Sequence, residues 1–219
     1  MRLFRLDTSI RVEGSVSREL ADTVESSWRA EHPDGTVVRR DVGTSPLSVT
    51  SWIDAVGGSH GAVADRTAQQ DDAVALAAEL ADEVLEADAI LVATQLYNFG
   101  VPAQLKTWVD VLMTDPRLGP GGQQPLAGRP AVLVVARGGG YGPGTPREGW
   151  DHATPWVRRI LADVFGLELH LVEAELTSAG VSPALEAFRD LADESRRTAD
   201  AAAASHGRTI AARARASAA

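Results

Sequence analysis

Three short stretches of this chain hold residues that could do chemistry, and each lies directly after an apolar run. The first contains Ser9, Ser15 and Ser17, with Gly14 among them. Hydroxyls add hydrogen-bond donors without bulk. A helix that starts here also presents unpaired N–H groups and a partial positive charge, which together suit a phosphate. The second is Leu96-Tyr97-Asn98-Phe99, behind Ala89-Ile90-Leu91-Val92-Ala93. Two aromatics and an amide offer faces for a flat heteroaromatic ring and a polar group to read its edge. The third is Ala136-Arg137-Gly138-Gly139. Its glycines let main-chain N–H groups approach a ligand closely, and Arg137 would favour an electron-rich, partly anionic ring.

Each stretch has a plainer reading when taken alone. Ser17 reads as a helix N-cap, with Ser9 and Ser15 as turn residues. An aromatic pair after a strand packs into a core, and glycine-rich loops are common. The first loop has no Gly-x-Gly-x-x-Gly, and no Gly-Lys-Ser/Thr occurs, so neither a dinucleotide fingerprint nor a nucleotide-hydrolysing loop is present. A hydroxyl-rich loop without lysine suits a monophosphate that stays bound.

The elements that would position these residues alternate along the chain. Strands are expected at Leu3 to Leu6, Thr36 to Arg40, Ala89 to Thr94, Pro130 to Ala136 and Leu167 to Glu173. Helices are expected at about Val16 to Glu31, Ala68 to Glu86, Pro102 to Leu112, Pro155 to Phe165 and Pro183 to Ser205. Residues 42–67 and 115–128 read as long loops rich in turn chemistry, and the Ala/Arg-rich tail 206–219 either extends the last helix or frays. This is an α/β pattern in a single domain, 1–219. It predicts a flavodoxin-like, doubly wound, five-stranded parallel sheet of order 2-1-3-4-5 with helices on both faces. The three stretches follow strands one, three and four, so the fold brings them to one sheet edge. A phosphate and a planar ring around one crevice describe flavin mononucleotide, FMN.

Composition narrows the classes further. The chain has 219 residues, 44% hydrophobic and 23% charged, which is ordinary for a globular protein. Its formal charge of −9 argues against a nucleic-acid partner. Without cysteine, thiol nucleophiles, disulfides and iron–sulfur ligation are excluded, and any redox chemistry must come from a bound cofactor. No metal site is expected. No apolar run reaches the roughly 20 residues of a membrane helix, and no signal peptide is visible, so a cytoplasmic location is expected.

Taken together, these motifs make the chain resemble the FMN-dependent NADH-azoreductase family, the flavodoxin-like NAD(P)H:quinone oxidoreductases. The family's Ser-x5-Ser-x-Ser loop is matched by Ser9, Ser15, Val16 and Ser17. Its Met-Tyr-Asn-Phe turn is matched by Leu96, Tyr97, Asn98 and Phe99, followed by Gln104-Leu105-Lys106, and its Ser-Arg-Gly-Gly loop by Ala136, Arg137, Gly138 and Gly139. Gln95 stands where the family commonly has Pro, Leu96 where it often has Met, and Ala136 where it often has Ser. The resemblance implies hydride transfer from NADH or NADPH through FMN to quinones, azo compounds or related conjugated acceptors, with ping-pong kinetics in a homodimer. Tyr141 stands where some members carry His and is a candidate proton donor or flavin contact; His152 and water are others. A flavodoxin-like electron carrier and a non-catalytic FMN-binding scaffold are the alternatives. Trp108 is expected in the core or an interface, and Trp150, Trp156 and Phe165 as one aromatic cluster.

Overall fold

In the computed structural model, five parallel strands line up in the order β2-β1-β3-β4-β5. They are β1 (Arg2–Asp7), β2 (Thr36–Asp41), β3 (Ala89–Gln95), β4 (Pro130–Ala136) and β5 (Glu168–Ala174). The structure describes residues 1–60, 62–119, 121 and 123–217. Gly61, Pro120, Gly122, Ala218 and Ala219, which fall in the two expected loops and the tail, lie outside the described residues. β3 and β4 are buried along their whole length, which is why they read as unbroken apolar runs rather than alternating ones.

Register decides where the loops go. Asp7 pairs with Ala93, Gln95 with Ala136, and Ala136 with Ala174. The C-terminal ends of β1, β3, β4 and β5 therefore finish side by side, and the segments that leave them share one edge.

Helices cover both faces: α1 (Val16–Glu31), α2 (Val49–His60), α3 (Ala68–Leu85), α4 (Ala103–Leu112), α5 (Thr154–Arg158) and α6 (Arg189–Ser217). On one face Leu3, Leu91 and Val132 pack against Leu20, Val24 and Trp28 of α1 and Ala203 and Ile210 of α6. On the other, Phe4, Leu6, Val92 and Leu133 pack against Leu80 of α3 and Leu105 and Trp108 of α4. Trp108 stacks on Phe4 with ring centroids 6.0 Å apart, which makes it a core residue.

Some expectations are corrected. The segment 42–67 is not one loop, since α2 runs through it. Gly57 and Gly58 mask the helix in the sequence, yet they are what lets it form here: a β-carbon on Gly58 would lie 2.8 Å from the Val74 side chain of α3. Packing overrides propensity. Of the two readings of the tail, the helical extension is the one found: the last helix runs past Ser205 to Ser217, with Ile210, Ala211 and Ala214 buried in the core. It begins at Arg189, after a 3-10 turn over Pro183–Phe188. The helix around 155–165 is α5 followed by a π-helical turn, Arg159–Val164. The expected aromatic cluster splits: Trp156 and Phe165 pack on the core, while Trp150 meets Phe99.

Candidate functional site

The loop between β1 and α1 is organised by its first helical turn. Ser15, not Ser17, occupies the N-cap position of α1, and its side chain makes no capping hydrogen bond. Glu19 is the first residue whose N–H reaches the helix ladder, donating to the Ser15 carbonyl at 3.0 Å, so the N–H groups ahead of it have no intrahelical acceptor. Ser17 is buried, with its Oγ 3.4 Å from Ser15 Oγ. Arg18 clamps the loop from within the same turn. It donates to the carbonyls of Ser9 at 2.6 Å and Arg11 at 2.9 Å while pairing twice, at 2.8 Å, with Asp41 of β2. Asp7 spends its carboxylate on Arg5, which donates to it at 2.9 and 3.1 Å.

The segment after β3 folds back on itself. Tyr97 and Gly100 exchange both backbone hydrogen bonds, at 3.0 and 3.2 Å, around Asn98 at φ 48° and Phe99 at φ 67°. Positive φ at both central residues makes this a primed hairpin turn. Asn tolerates that region, but an aromatic residue does so at a cost of order 1–3 kcal/mol, and such strain gathers at ligand sites. Tyr97 Oη accepts from the Ile10 N–H at 3.2 Å, which ties this turn to the first loop. The Thr8 carbonyl accepts from Gln95 Nε2 at 3.2 Å and Gln104 Nε2 at 2.7 Å. Gln95 thus has a fixed amide, although its Oε1 is buried without a hydrogen-bond partner.

The third loop, after β4, is knitted to a fourth that the sequence did not signal. The N–H groups of Thr177 and Ser178 donate to the carbonyls of Arg137 and Gly138 at 3.0 and 3.2 Å. A β-carbon at Gly138 would lie 2.8 Å from Ser178 Oγ. The expectation that Arg137 offers its charge to a ring is corrected. Its guanidinium is buried, bonded to Asp151 at 2.8 Å and Thr154 at 3.0 Å, and ion-paired with Glu173 and Glu175. Its charge is spent on the loop itself. Burial works to raise the Asp151 carboxyl, but hydrogen bonds from Thr154 and the Arg137 charge outweigh it and hold the group below the usual carboxylate range. Asp151 also accepts from the Ala153 and Thr154 N–H groups just ahead of and at the start of α5, at 3.0 and 2.8 Å, and His152 beside it is exposed.

Between these loops lies a cavity of about 330 Å³. Ser9, Ser15, Val16, Ser17, Leu96, Tyr97, Ala136 and Gly138 line it, so the structure gathers most of the expected residues. Ile10, Arg11, Gly14, Gln95, Thr177 and Ser178 complete the wall, and none of the lining residues is acidic. Asn98, Phe99, Arg137 and Gly139 do not line it. Asn98 and Phe99 form the exposed tip of the neighbouring turn, and Gly139 opens on a second cavity. Tyr141 also stands outside, edge-on to Phe99 with ring centroids 6.4 Å apart, and its N–H donates to Glu175 at 3.1 Å.

A hydroxyl-lined cavity at a helix N-terminus, on the switch between strands one and three, is the ligand crevice of a flavodoxin-like sheet. The sequence profile of the flavodoxin-like fold matches residues 1–200. An FMN-dependent NADH:quinone oxidoreductase from Parafrankia sp. (strain EAN1pec) is 37% identical over 200 residues, covering 90% of this chain and 94% of that protein. The chain belongs to this flavodoxin-like family. Another member, an FMN-dependent NADH:quinone oxidoreductase from Kineococcus radiotolerans, is 39% identical over 214 residues, 95% of this chain and 99% of that one. Among solved structures, an azoreductase from Bacillus anthracis str. Sterne superposes with a TM-score of 0.77 at 24% identity, covering 95% and 99% of the two chains. That last likeness is one of fold. Against the family pattern, Ala136 leaves a methyl group on the cavity wall where members often carry a hydroxyl.

Proposed function

We propose that this cavity seats FMN and that the protein is an FMN-dependent oxidoreductase, passing electrons from NADH or NADPH to quinones, azo compounds or related conjugated acceptors. The observation that carries this reading is the donor set at the start of α1. The Ser15 hydroxyl is unused as a cap, Ser9 and Ser17 stand beside it, Arg11 supplies positive charge, and no carboxylate opposes an anion there. A phosphate fits that set. On the ring side, the Gly138 and Gly139 N–H groups have no hydrogen-bond partner among the described residues and are free to meet a polar ring edge.

When bound, FMN would supply the two-electron chemistry that couples NADH or NADPH to the acceptor, and ping-pong kinetics are expected of such a shared site. The polypeptide's part is positioning. Ser9, Ser15, Ser17 and the first-turn amides of α1 hold the phosphate, with Val16 at the helix start. Leu96 and Tyr97 would border one side of the ring, with the Asn98–Phe99 tip of the same turn beyond the cavity wall, and the backbone of Ala136 and Gly138, continued by Gly139, would stand on the other. Arg137 braces that backbone through Asp151, Glu173 and Glu175. Tyr141, or water, returns the proton that a reduced acceptor needs.

The chain acts as one domain, in the cytoplasm, and as a homodimer. Val49, Trp52 and Ile53 of α2 are 74%, 46% and 62% exposed and supply an apolar face for a second copy. No helix among the described residues is long and apolar enough to cross a membrane, and the charge of −9 disfavours nucleic acid.

The test is the absorbance of the purified protein, followed by NADH without oxygen. A yellow protein whose band near ~450 nm bleaches with NADH, and which oxidises NADH steadily once a quinone is added, is expected. A colourless protein that does not take up added FMN overturns the reading. A flavin that NADH cannot bleach makes the protein an electron carrier instead.

A further inference from the structure

On the β4 side of the cavity the wall consists of Ala136, Gly138, Thr177 and Ser178. Ala136 offers a methyl group and Gly138 no side chain, so the only hydroxyls on this wall come from the loop after β5. They differ in what they are free to do. Thr177 Oγ1 donates to the Arg137 carbonyl at 3.1 Å and is spent on the fold. Ser178 Oγ has no hydrogen-bond partner among the described residues.

The rest of Ser178 is fixed. Its N–H donates to the Gly138 carbonyl at 3.2 Å, and its own carbonyl accepts from the Val181 and Ser182 N–H groups at 3.1 and 2.8 Å. The turn that presents it is anchored by the buried Ala179, whose N–H donates to the Leu176 carbonyl at 2.9 Å. Leu176 adopts φ 59°, a region that a β-carbon disfavours, and strain of this kind gathers at ligand sites. Ser178 Oγ falls 2.8 Å from where a β-carbon on Gly138 would be. The hydroxyl thus takes the space that the missing side chain leaves, beside the backbone that faces the ring. A serine whose main chain is held on both sides, and whose hydroxyl is left over, is preorganised to donate to a ligand.

We infer that Ser178 is a further ligand-binding residue, donating its hydroxyl to the polar edge of the flavin ring in place of the hydroxyl that Ala136 lacks. The inference rests on the FMN assignment proposed above and adds to that site a residue from a loop outside its three motifs. The ring, not the phosphate, is the partner: the phosphate has Ser9, Ser15, Ser17 and Arg11 at the start of α1, whereas Ser178 stands by Gly138 after β4. Hydrogen bonds to the ring tune a flavin's electronics, and an O–H donor favours the electron-rich reduced form.

The probes are FMN and riboflavin, which lacks the phosphate, each titrated into flavin-free protein by quenching of flavin fluorescence. The midpoint potential of bound FMN is measured beside them. Ser178→Ala is expected to leave the Tm of the flavin-free protein where it was, since the hydroxyl makes no bond within the chain. It weakens FMN and riboflavin alike, by about three- to tenfold, the scale of one neutral hydrogen bond, and moves the midpoint potential negative. Ala136→Ser restores affinity in the Ser178→Ala background and adds little to the wild type. Unchanged flavin binding in Ser178→Ala overturns the inference. So does a loss confined to FMN, which gives the hydroxyl to the phosphate, or a loss for both flavins with an unmoved potential, which gives it to the ribityl chain. An equal gain from Ala136→Ser in both backgrounds overturns it too, because the two hydroxyls then serve different atoms. Wild-type protein that takes up neither flavin removes the FMN assignment itself, a result distinct from all of these.

Discussion

Gly43 lies directly against the backbone of Ser9: a β-carbon at position 43 would fall 2.0 Å from the Ser9 carbonyl oxygen and 2.5 Å from its carbonyl carbon. Both are main-chain atoms of the loop that carries the first hydroxyl of the site, and no side chain can move aside to make room. Gly43 itself is tethered, donating its N–H to Asp41 Oδ1 at 3.0 Å. Gly43→Ala should therefore displace the Ser9 loop rather than unfold the sheet. FMN dissociation, read from quenching of flavin fluorescence, should rise about tenfold or more, with stability falling by only about 1–3 kcal/mol. Unchanged FMN affinity would show that the loop does not hold the phosphate.

Two helix starts with hydroxyl N-caps should respond in opposite ways. Thr67 caps α3 with a full capping box, accepting from the Gln70 N–H at 3.2 Å while Gln70 Oε1 accepts from the Thr67 N–H at 3.0 Å. Thr67→Ala should lower stability by about 1 kcal/mol, or Tm by about 2–4 °C, and leave FMN binding alone. The Ser15 hydroxyl makes no such bond. Ser15→Ala should leave the Tm of the FMN-free protein where it was and weaken FMN several-fold. Calorimetry with and without FMN separates the two.

Glu25 predicts the acid limb of stability. Its side chain is buried and accepts from Arg39 at 2.6 Å, Arg29 at 2.8 Å and Arg5 at 3.1 Å. Burial works to raise its carboxyl, but the hydrogen bonds and charge of these arginines outweigh it, and the net shift is downward. A carboxyl depressed in the folded state stabilises fully above its unfolded pKa, and that contribution is lost as pH falls through the folded value. Unfolding by urea should therefore become easier as pH drops below the ordinary carboxylate range, roughly pH 4. Glu25→Gln should flatten this dependence. At neutral pH it should also destabilise by about 3 kcal/mol, because Arg5 stays buried with less to offset it.

His206 on α6 and His170 on β5 stack with ring centroids 5.0 Å apart, with Glu168 within 4.0 Å of His170 and Arg213 paired to Glu168 at 3.0 Å. Burial, then repulsion from His170, depresses the His206 imidazole, against a backbone hydrogen bond at Leu171. The sign is opposite to that of a paired histidine. Both states are neutral at high pH, and as pH falls the unfolded chain takes up the proton first, so stability is lost. Tm should fall between about pH 7.5 and pH 5.5, the range in which an ordinary histidine titrates. His206→Gln should remove that part of the fall; an identical profile in the variant would place the transition elsewhere.

The strand and helix pattern was readable because the core demands it. Strands covered on both faces must be apolar throughout, and helices packed on one side must carry a stripe, so β3, β4, α1 and α3 stand out in the sequence. The exceptions have a common cause. α2 carries Gly57 and Gly58, which lower helix propensity but let the helix lie close on α3. α6 runs on to Ser217 through an Ala/Arg-rich stretch that has no strong stripe until it meets the core. In both, the deciding term is contact with another element, which is absent from local sequence.

The site divides along the same line. The sequence by itself determined the residue types that suit a phosphate and a flat ring, Ser9, Ser15, Ser17 and the Tyr97-Asn98-Phe99 turn, and their places after strands, because hydroxyl chemistry and chain order are local properties. Only the tertiary structure decided what each residue is free to do. It spent the charge of Arg137 on Asp151, Glu173 and Glu175, and it set Arg147, which no motif marked, beside the rings of Phe99 and Tyr141. It also brought Thr177 and Ser178 to the cavity from a loop with no signature. A side chain's available charge depends on which partners the fold sets within a few ångströms of it, and those partners lie far away in sequence.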